Sequence, residues 1–259
     1  MSDLDHIDLG ALLKRLHLAT VARVLADFEG RAAAESWTHR EFLVRLMAEE
    51  VANRSRTRVT RLSRHAHFPF AKTIEEFDFT FQDSIRRTQL GPYLGPEFVT
   101  EGRNLILSGK PGRGKTHIAI ALAYKAIQNG FEARFVTATA LIDELCAAAR
   151  AGTLREVTAD YVQPHVLVID EVGYLQHADA AANVLYGVID QRCLRRRPIV
   201  FTTNKRLRDW GTVLHDPHLA EALLDRILEH GQHIALGGRS WRTRNVDPAT
   251  FGDTGGDGT

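Results

Sequence analysis

Asn104-Leu105-Ile106-Leu107-Ser108-Gly109-Lys110-Pro111-Gly112-Arg113-Gly114-Lys115-Thr116-His117 is the stretch that decides how this chain folds. A short apolar strand runs into Gly109-x-x-x-x-Gly114-Lys115-Thr116, the G-x-x-x-x-G-K-[ST] pattern, and an apolar-periodic helix follows at once. The glycines let successive backbone N–H groups curl into a nest at a helix N-terminus, where the helix dipole favours an anion. Lys115 is placed to bridge β- and γ-phosphates, and the Thr116 hydroxyl to ligate Mg²⁺. A glycine turn that merely caps a helix would match the four fixed positions by chance in only on the order of one per cent of chains this long. Gly109, Lys110, Pro111, Gly112, Arg113, Gly114, Lys115, Thr116 and His117 are therefore read as the nucleotide-binding segment.

Downstream, Val166-Leu167-Val168-Ile169-Asp170-Glu171 is a continuous apolar strand ending in two carboxylates, 55 residues after Lys115. Such a run suits a parallel strand buried on both faces, and its C-terminal end lies where open α/β sheets bind ligands. Asp170 suits the Walker-B role of holding Mg²⁺ through water, and Glu171 the role of a base that polarises a water. Pro198–Thr203 forms another apolar strand, and Asn204 at its tip can hold that water or touch the γ-phosphate, where the plainer reading is an asparagine opening a turn. Ala133–Thr137 is a fourth strand. Helices are expected over 115–129, 139–151 and 178–195, with Gly130 and Gly152 as stops. The alternation predicts an α/β fold with a mostly parallel sheet flanked by helices.

Upstream the pattern differs. Leu9, Leu12, Leu13, Leu16, Val21, Val24, Leu25 and Phe28 recur at helical spacing, and Thr38-His39-Arg40-Glu41 has the form of a capping box before Phe42, Leu43, Leu46, Met47 and Val51. Residues 40–72 carry eight basic side chains against three glutamates, +5 in that stretch, with Arg54, Arg56, Arg58, Arg61 and Arg64 as candidate contacts to DNA phosphates. His67-Phe68-Pro69-Phe70 ends this module because proline breaks a helix, which puts the boundary near 68–75. The expected organisation is a small all-α N-terminal domain over 1–70, an ATPase-like domain over 71–247 and a disordered tail over 248–259.

Composition excludes several classes. The 259 residues carry 33 basic and 32 acidic side chains, so global charge points to no partner, and 44% hydrophobic content supports a sizeable core. Two cysteines cannot build a disulfide framework or a four-ligand zinc site. Twelve histidines occur without a His-Glu-x-x-His pattern, so no metal other than Mg²⁺ is expected. No signal peptide or membrane span is evident, and a reducing cytoplasm fits. The runs Leu194-Arg195-Arg196-Arg197 and Arg239/Arg242/Arg244 read equally as solvated faces or DNA contacts.

Together with Gly114-Lys115-Thr116-His117, the segments Asp170-Glu171-Val172-Gly173-Tyr174, Thr202-Thr203-Asn204, Trp210, Asp225-Arg226-Ile227-Leu228 and Gly238-Arg239-Ser240-Trp241-Arg242 resemble the IstB family of transposition helper ATPases, relatives of DnaC-type helicase loaders within the AAA+ class. The resemblance runs from about Leu9 to Asn245, and Ala66–Pro69 with Thr73–Phe79 matches the family's join between its two parts. Lys110, Arg113 and Trp241 depart from the residues usual there, at variable or aromatic positions. The resemblance implies an AAA+ P-loop core that hydrolyses ATP with Mg²⁺ and forms a homo-oligomer with sites at subunit interfaces. It also implies loading on double-stranded DNA and delivery or activation of a transposase encoded by the same element. It makes Arg226 an arginine finger reaching the neighbouring subunit's γ-phosphate, where spacing alone suggests a surface pair with Asp225 or Glu229. A DnaC-type replicative helicase loader would share the ATPase core but carry a different N-terminal adaptor. A P-loop kinase is disfavoured because Glu171 activates water and no acceptor pocket is evident. A nucleotide-gated DNA-binding module with negligible turnover would carry the same motifs.

Overall fold

The computed structural model describes residues 8–173 and 178–245. They divide into two compact units, one up to Arg61 and one from Leu62 onward. In the first, α1 (Leu9–Arg15), α2 (Ala19–Ala34) and most of α3 (His39–His65) enclose a small core of Leu13, Val21 and Leu46, with Phe28, Phe42 and Met47 packed against it. The expected capping box is present: Glu41 N–H donates to Thr38 Oγ1 at 3.2 Å, and Thr38 N–H donates to the Glu41 carboxylate at 2.8 Å. Those bonds hold the Glu41 carboxyl below its ordinary pKa.

The division falls inside α3, upstream of the expected join at 68–75. The reason is the last turn of that helix. Leu62 and Ala66 are buried, and the Ala66 carbonyl accepts the Phe135 N–H at 2.8 Å, so this turn packs with the sheet.

The second unit continues through α4 (Arg87–Leu90), α5 (Glu97–Thr100), β1 (Asn104–Ser108), α6 (Lys115–Gln128), β2 (Ala133–Thr137), α7 (Ala138–Ala151), α8 (Leu154–Val162), β3 (Val166–Val172), α9 (Ala178–Leu194), β4 (Ile199–Thr203), α10 (Trp210–Leu214), α11 (Pro217–Glu229) and β5 (Gly231–Ala235). The strands lie in the order β2-β3-β4-β1-β5, and every pairing is parallel. The four expected strands and the α/β class are present. β1 and β3 carry continuous aliphatic runs, Leu105–Leu107 and Val166–Ile169, because helices cover both faces of the sheet. α6 is apolar nearly all round, from Ile118 to Ile127, because it is buried behind the sheet. Gly152 closes α7 in the left-handed conformation at φ 75°, the expected helix stop.

α8, α10, α11 and β5 extend the expected pattern. α11 starts with Asp216, whose side chain accepts the Leu219 N–H at 2.9 Å, followed by Pro217 in its first turn. β5 is an edge strand, Gly231-Gln232-His233-Ile234-Ala235, in which only Ile234 is buried, so it lacks a strand-like apolar signature. The tail expected to be disordered over 248–259 lies outside the described residues.

Candidate nucleotide site

Phosphate-loop geometry follows from its glycines. Gly109, Gly112 and Gly114 have φ of 145°, 78° and 86°, conformations that other residues rarely adopt. A Cβ on Gly109 would strike the Leu236 carbonyl, one on Gly112 the Ser240 hydroxyl, and one on Gly114 the Phe77 ring. Two segments thus clamp the loop from outside. From the C-terminal side, Trp241 N–H donates to the Gly112 carbonyl at 2.9 Å, and the Leu236 carbonyl accepts Arg113 Nη1 at 3.1 Å. From the N-terminal side, Gln82 Nε2 donates to the Arg113 carbonyl at 3.0 Å. Lys110 and Pro111 stand exposed at the tip. His117 Nε2 lies 2.9 Å from the Thr73 carbonyl, and its ring meets Phe77 edge-on at 5.2 Å. Burial lowers the His117 pKa.

Lys115 folds back over the loop, its Nζ donating to the carbonyls of Gly109 at 2.6 Å and Lys110 at 3.0 Å. Burial is the main cause lowering its pKa; Arg113 and Arg242 push the same way, against Asp170 and Glu171. The ammonium's hydrogen bonds go to carbonyls, and phosphate oxygens would give it charged acceptors in direct contact.

Thr116 opens α6 and meets the end of β3. Its hydroxyl donates to Asp170, 2.9 Å from Oδ1 and 3.2 Å from Oδ2. With its proton committed to the carboxylate, the oxygen keeps its lone pairs for a cation, and a hydroxyl beside a carboxylate is a hard-oxygen donor set that suits Mg²⁺. Asp170 is buried, Glu171 exposed. Glu171 has φ of 61°, unusual for a residue of its type. Asn204 follows β4 and is half-buried; a Cβ on Gly173 would lie 2.7 Å from its Oδ1. Lys115, Thr116, Asp170, Glu171 and Asn204 are thus gathered at the C-terminal edge of β1, β3 and β4.

Arg226 is elsewhere. Asn104, the first residue of β1, donates through Nδ2 to the Ile227 carbonyl at 3.1 Å, which sets the last turn of α11 at the opposite end of β1 from the loop. Its partner is neither Asp225 nor Glu229 but Asp190 of α9, at 2.9 Å from Nη2, and that carboxylate raises the guanidinium pKa. The α3 arginines differ among themselves. Arg54 pairs with Glu50 at 2.7 Å and donates to the His17 carbonyl, while Glu50, 5% exposed, accepts the N–H groups of Thr20 and Val21 at the start of α2. Arg54 therefore holds the first unit together. Arg56 pairs with Glu49 at 3.2 Å. Arg58, Arg61 and Arg64 are exposed. No cluster of histidine, cysteine or carboxylate side chains able to hold a metal is found among the described residues.

Thr202 was not among the expected site residues, yet its hydroxyl donates to Asp170 Oδ1 and accepts the Glu171 N–H. A threonine within a wholly buried strand was the available signal, because a buried hydroxyl must find partners. Gln82 and Leu236 carried no comparable mark, since their contacts with the loop come from distant parts of the chain.

A parallel β2-β3-β4-β1-β5 sheet with a phosphate loop after β1 and an Asp-Glu pair ending β3 defines an ATP-binding protein of the AAA+ P-loop class. Comparison with known proteins narrows this. The profile described as IstB-like ATP binding protein matches residues 11–249, and the chain belongs to that family. It is 36% identical over 230 residues to the ATP-binding protein of insertion sequence IS5376 from Geobacillus stearothermophilus, spanning 89% of this chain and 91% of that protein. It is 34% identical over 237 residues to the ATP-binding protein of insertion sequence IS21 from Pseudomonas aeruginosa, spanning 92% and 89%. Among solved structures, the DnaI structure superposes with a TM-score of 0.55 at 21% identity over 64% of this chain and 91% of that one. The DnaC helicase loader does so with a TM-score of 0.50 at 23% identity over 58% and 87%. At such identities the likeness to these two concerns the fold alone. No helix among the described residues is long and apolar enough to cross a membrane.

Proposed function

We propose that this protein is the ATP-hydrolysing helper of a transposable element, which assembles as a homo-oligomer on double-stranded DNA and recruits or activates the transposase encoded by the same element. The observation that carries the hydrolytic part is the hydrogen-bonded chain from Thr116 through Asp170 to Thr202 and the Glu171 amide. It joins a cation-competent hydroxyl to the backbone of Glu171, the residue whose carboxylate takes the proton in this reading. Mg²⁺, when bound, supplies positive charge against the phosphate oxygens. The glycine loop and Lys115 bind those oxygens, Thr116 and Asp170 hold the cation, and Glu171 accepts the proton of the attacking water at its carboxylate. Asn204 orients that water, and Arg226 acts on the site of a neighbouring copy.

DNA contact is assigned to the α3 arginines Arg54, Arg56, Arg58, Arg61 and Arg64, all of them exposed. In this reading residues 1–70 form the DNA- and partner-binding part and 71–247 the ATPase part. The insertion-sequence proteins among the relatives support a transposition role over the helicase-loader alternative. The test compares two variants. Lys115→Ala should lose ATP binding, while Glu171→Gln should bind ATP and fail to release phosphate. Wild-type turnover by Glu171→Gln would remove Glu171 from the role of base.

A further inference from the structure

Along β3 and β4 the register runs Leu167 with Ile199, Val168 with Val200, Ile169 with Phe201, and then Val172 with Thr203. Two residues of β3, Asp170 and Glu171, therefore stand opposite one residue of β4, Thr202. This is a β-bulge, in which the extra residue loses its place in the ladder and the strand re-aims its side chains. The extra residue is Glu171, which turns into the left-handed region at φ 61°.

Thr202 is fully buried and repairs the bulge from the partner strand. Its hydroxyl has one proton and two lone pairs. The proton goes to Asp170 Oδ1, because an ionised carboxylate only accepts, and a lone pair takes the Glu171 N–H at 3.0 Å. On the far side of the bulge, Thr203 Oγ1 donates to the Val172 carbonyl and the ladder resumes. One hydroxyl thus sets the Asp170 carboxylate and ties down the left-handed backbone that aims Glu171. Valine in its place would fill the same volume and release both.

We propose that Thr202 is a positioning residue that fixes the two carboxylates relative to one another across the bulge. It touches neither nucleotide nor water and acts through Asp170 and Glu171. The inference rests on the hydrolytic reading of Glu171, so its test has one arm that depends on turnover and one that does not.

Thr202→Val and Thr202→Ser are compared with wild type for kcat and KM of ATP hydrolysis, for affinity toward a fluorescent ATP analogue, and for hydrogen exchange of the Glu171 amide. A base displaced by about 1 Å loses on the order of 10²-fold in rate. Thr202→Val should lower kcat by roughly 10- to 100-fold, leave the analogue's affinity within a few-fold, and exchange the Glu171 amide at least tenfold faster. Thr202→Ser, which keeps the hydroxyl, should restore most of the rate and the amide's protection. Should Thr202→Val fail to fold, Thr202→Ala against Thr202→Ser makes the same comparison. Wild-type kcat in the hydroxyl-free variant, or a parallel loss of affinity and kcat, would overturn the positioning role. A wild-type protein that turns over no faster than Glu171→Gln would overturn the hydrolytic reading, and the exchange arm would still decide whether Thr202 holds the bulge.

Discussion

Replacing Arg226 by alanine tests whether the ATP site is completed by a second copy of the chain. The last turn of α11 is bonded to Asn104 at the start of β1, and the phosphate loop leaves from Ser108 at its end. Four steps of a parallel strand at about 3.3 Å each separate the two ends by roughly 13 Å, and the loop lies beyond. An arginine side chain reaches about 7 Å from its Cα, so Arg226 does not serve the loop of its own chain. In another copy's site it would stabilise charge developing on the transferred phosphoryl group, an effect on the order of 10³-fold or more in rate. Arg226→Ala should therefore bind a fluorescent ATP analogue normally and release phosphate on the order of 10³-fold more slowly. Mixed with Lys115→Ala in equal amounts, it should recover activity. In a head-to-tail assembly formed at random, about one interface in four pairs an intact Lys115 with an intact Arg226, so the mixture should approach a quarter of the wild-type rate. A mixture no faster than its components, in oligomers shown to exchange subunits, would refute action between subunits and leave Arg226 as the partner of Asp190.

Arg58→Ala combined with Arg61→Ala should weaken binding to all duplexes alike and reduce the slope of log K against log salt by about 0.9 per arginine; an unchanged slope in a binding titration would move the DNA surface off α3. Arg192 is fully buried and donates to the carbonyls of Tyr161, Val162, Pro164, His165 and Pro198, so Arg192→Met should cost more than about 3 kcal/mol in urea unfolding by removing this set of buried charge-assisted bonds at once. Burial lowers the pKa of His117 and His233 below the ordinary 6.5, so the unfolded chain takes up protons first as the pH falls. Their contribution to stability is whole above pH 6.5 and is lost on acidification through their lowered values; thermal unfolding across that range should show Tm falling, with a shallower fall in His117→Gln.

The sequence by itself determined the features that are local. A glycine loop between an aliphatic strand and a helix is legible because its conformation is dictated by residues within a dozen positions of one another. The same holds for the Thr38–Glu41 capping box, the Gly152 stop and the Asp170-Glu171 strand end. The chemistry of Lys115 and Thr116 travels with their spacing. What only the tertiary structure decided depends on partners distant in the chain. Arg54 looks like every other arginine of a basic run, yet it is committed to Glu50, whose carboxylate closes the start of α2 from another helix. Arg226 has acidic neighbours on its own helix and pairs instead with Asp190 on α9. Thr202 became visible as the hinge of both carboxylates only once β4 lay beside β3 with one residue against two, because a bulge is a property of two strands in register and neither strand encodes it alone.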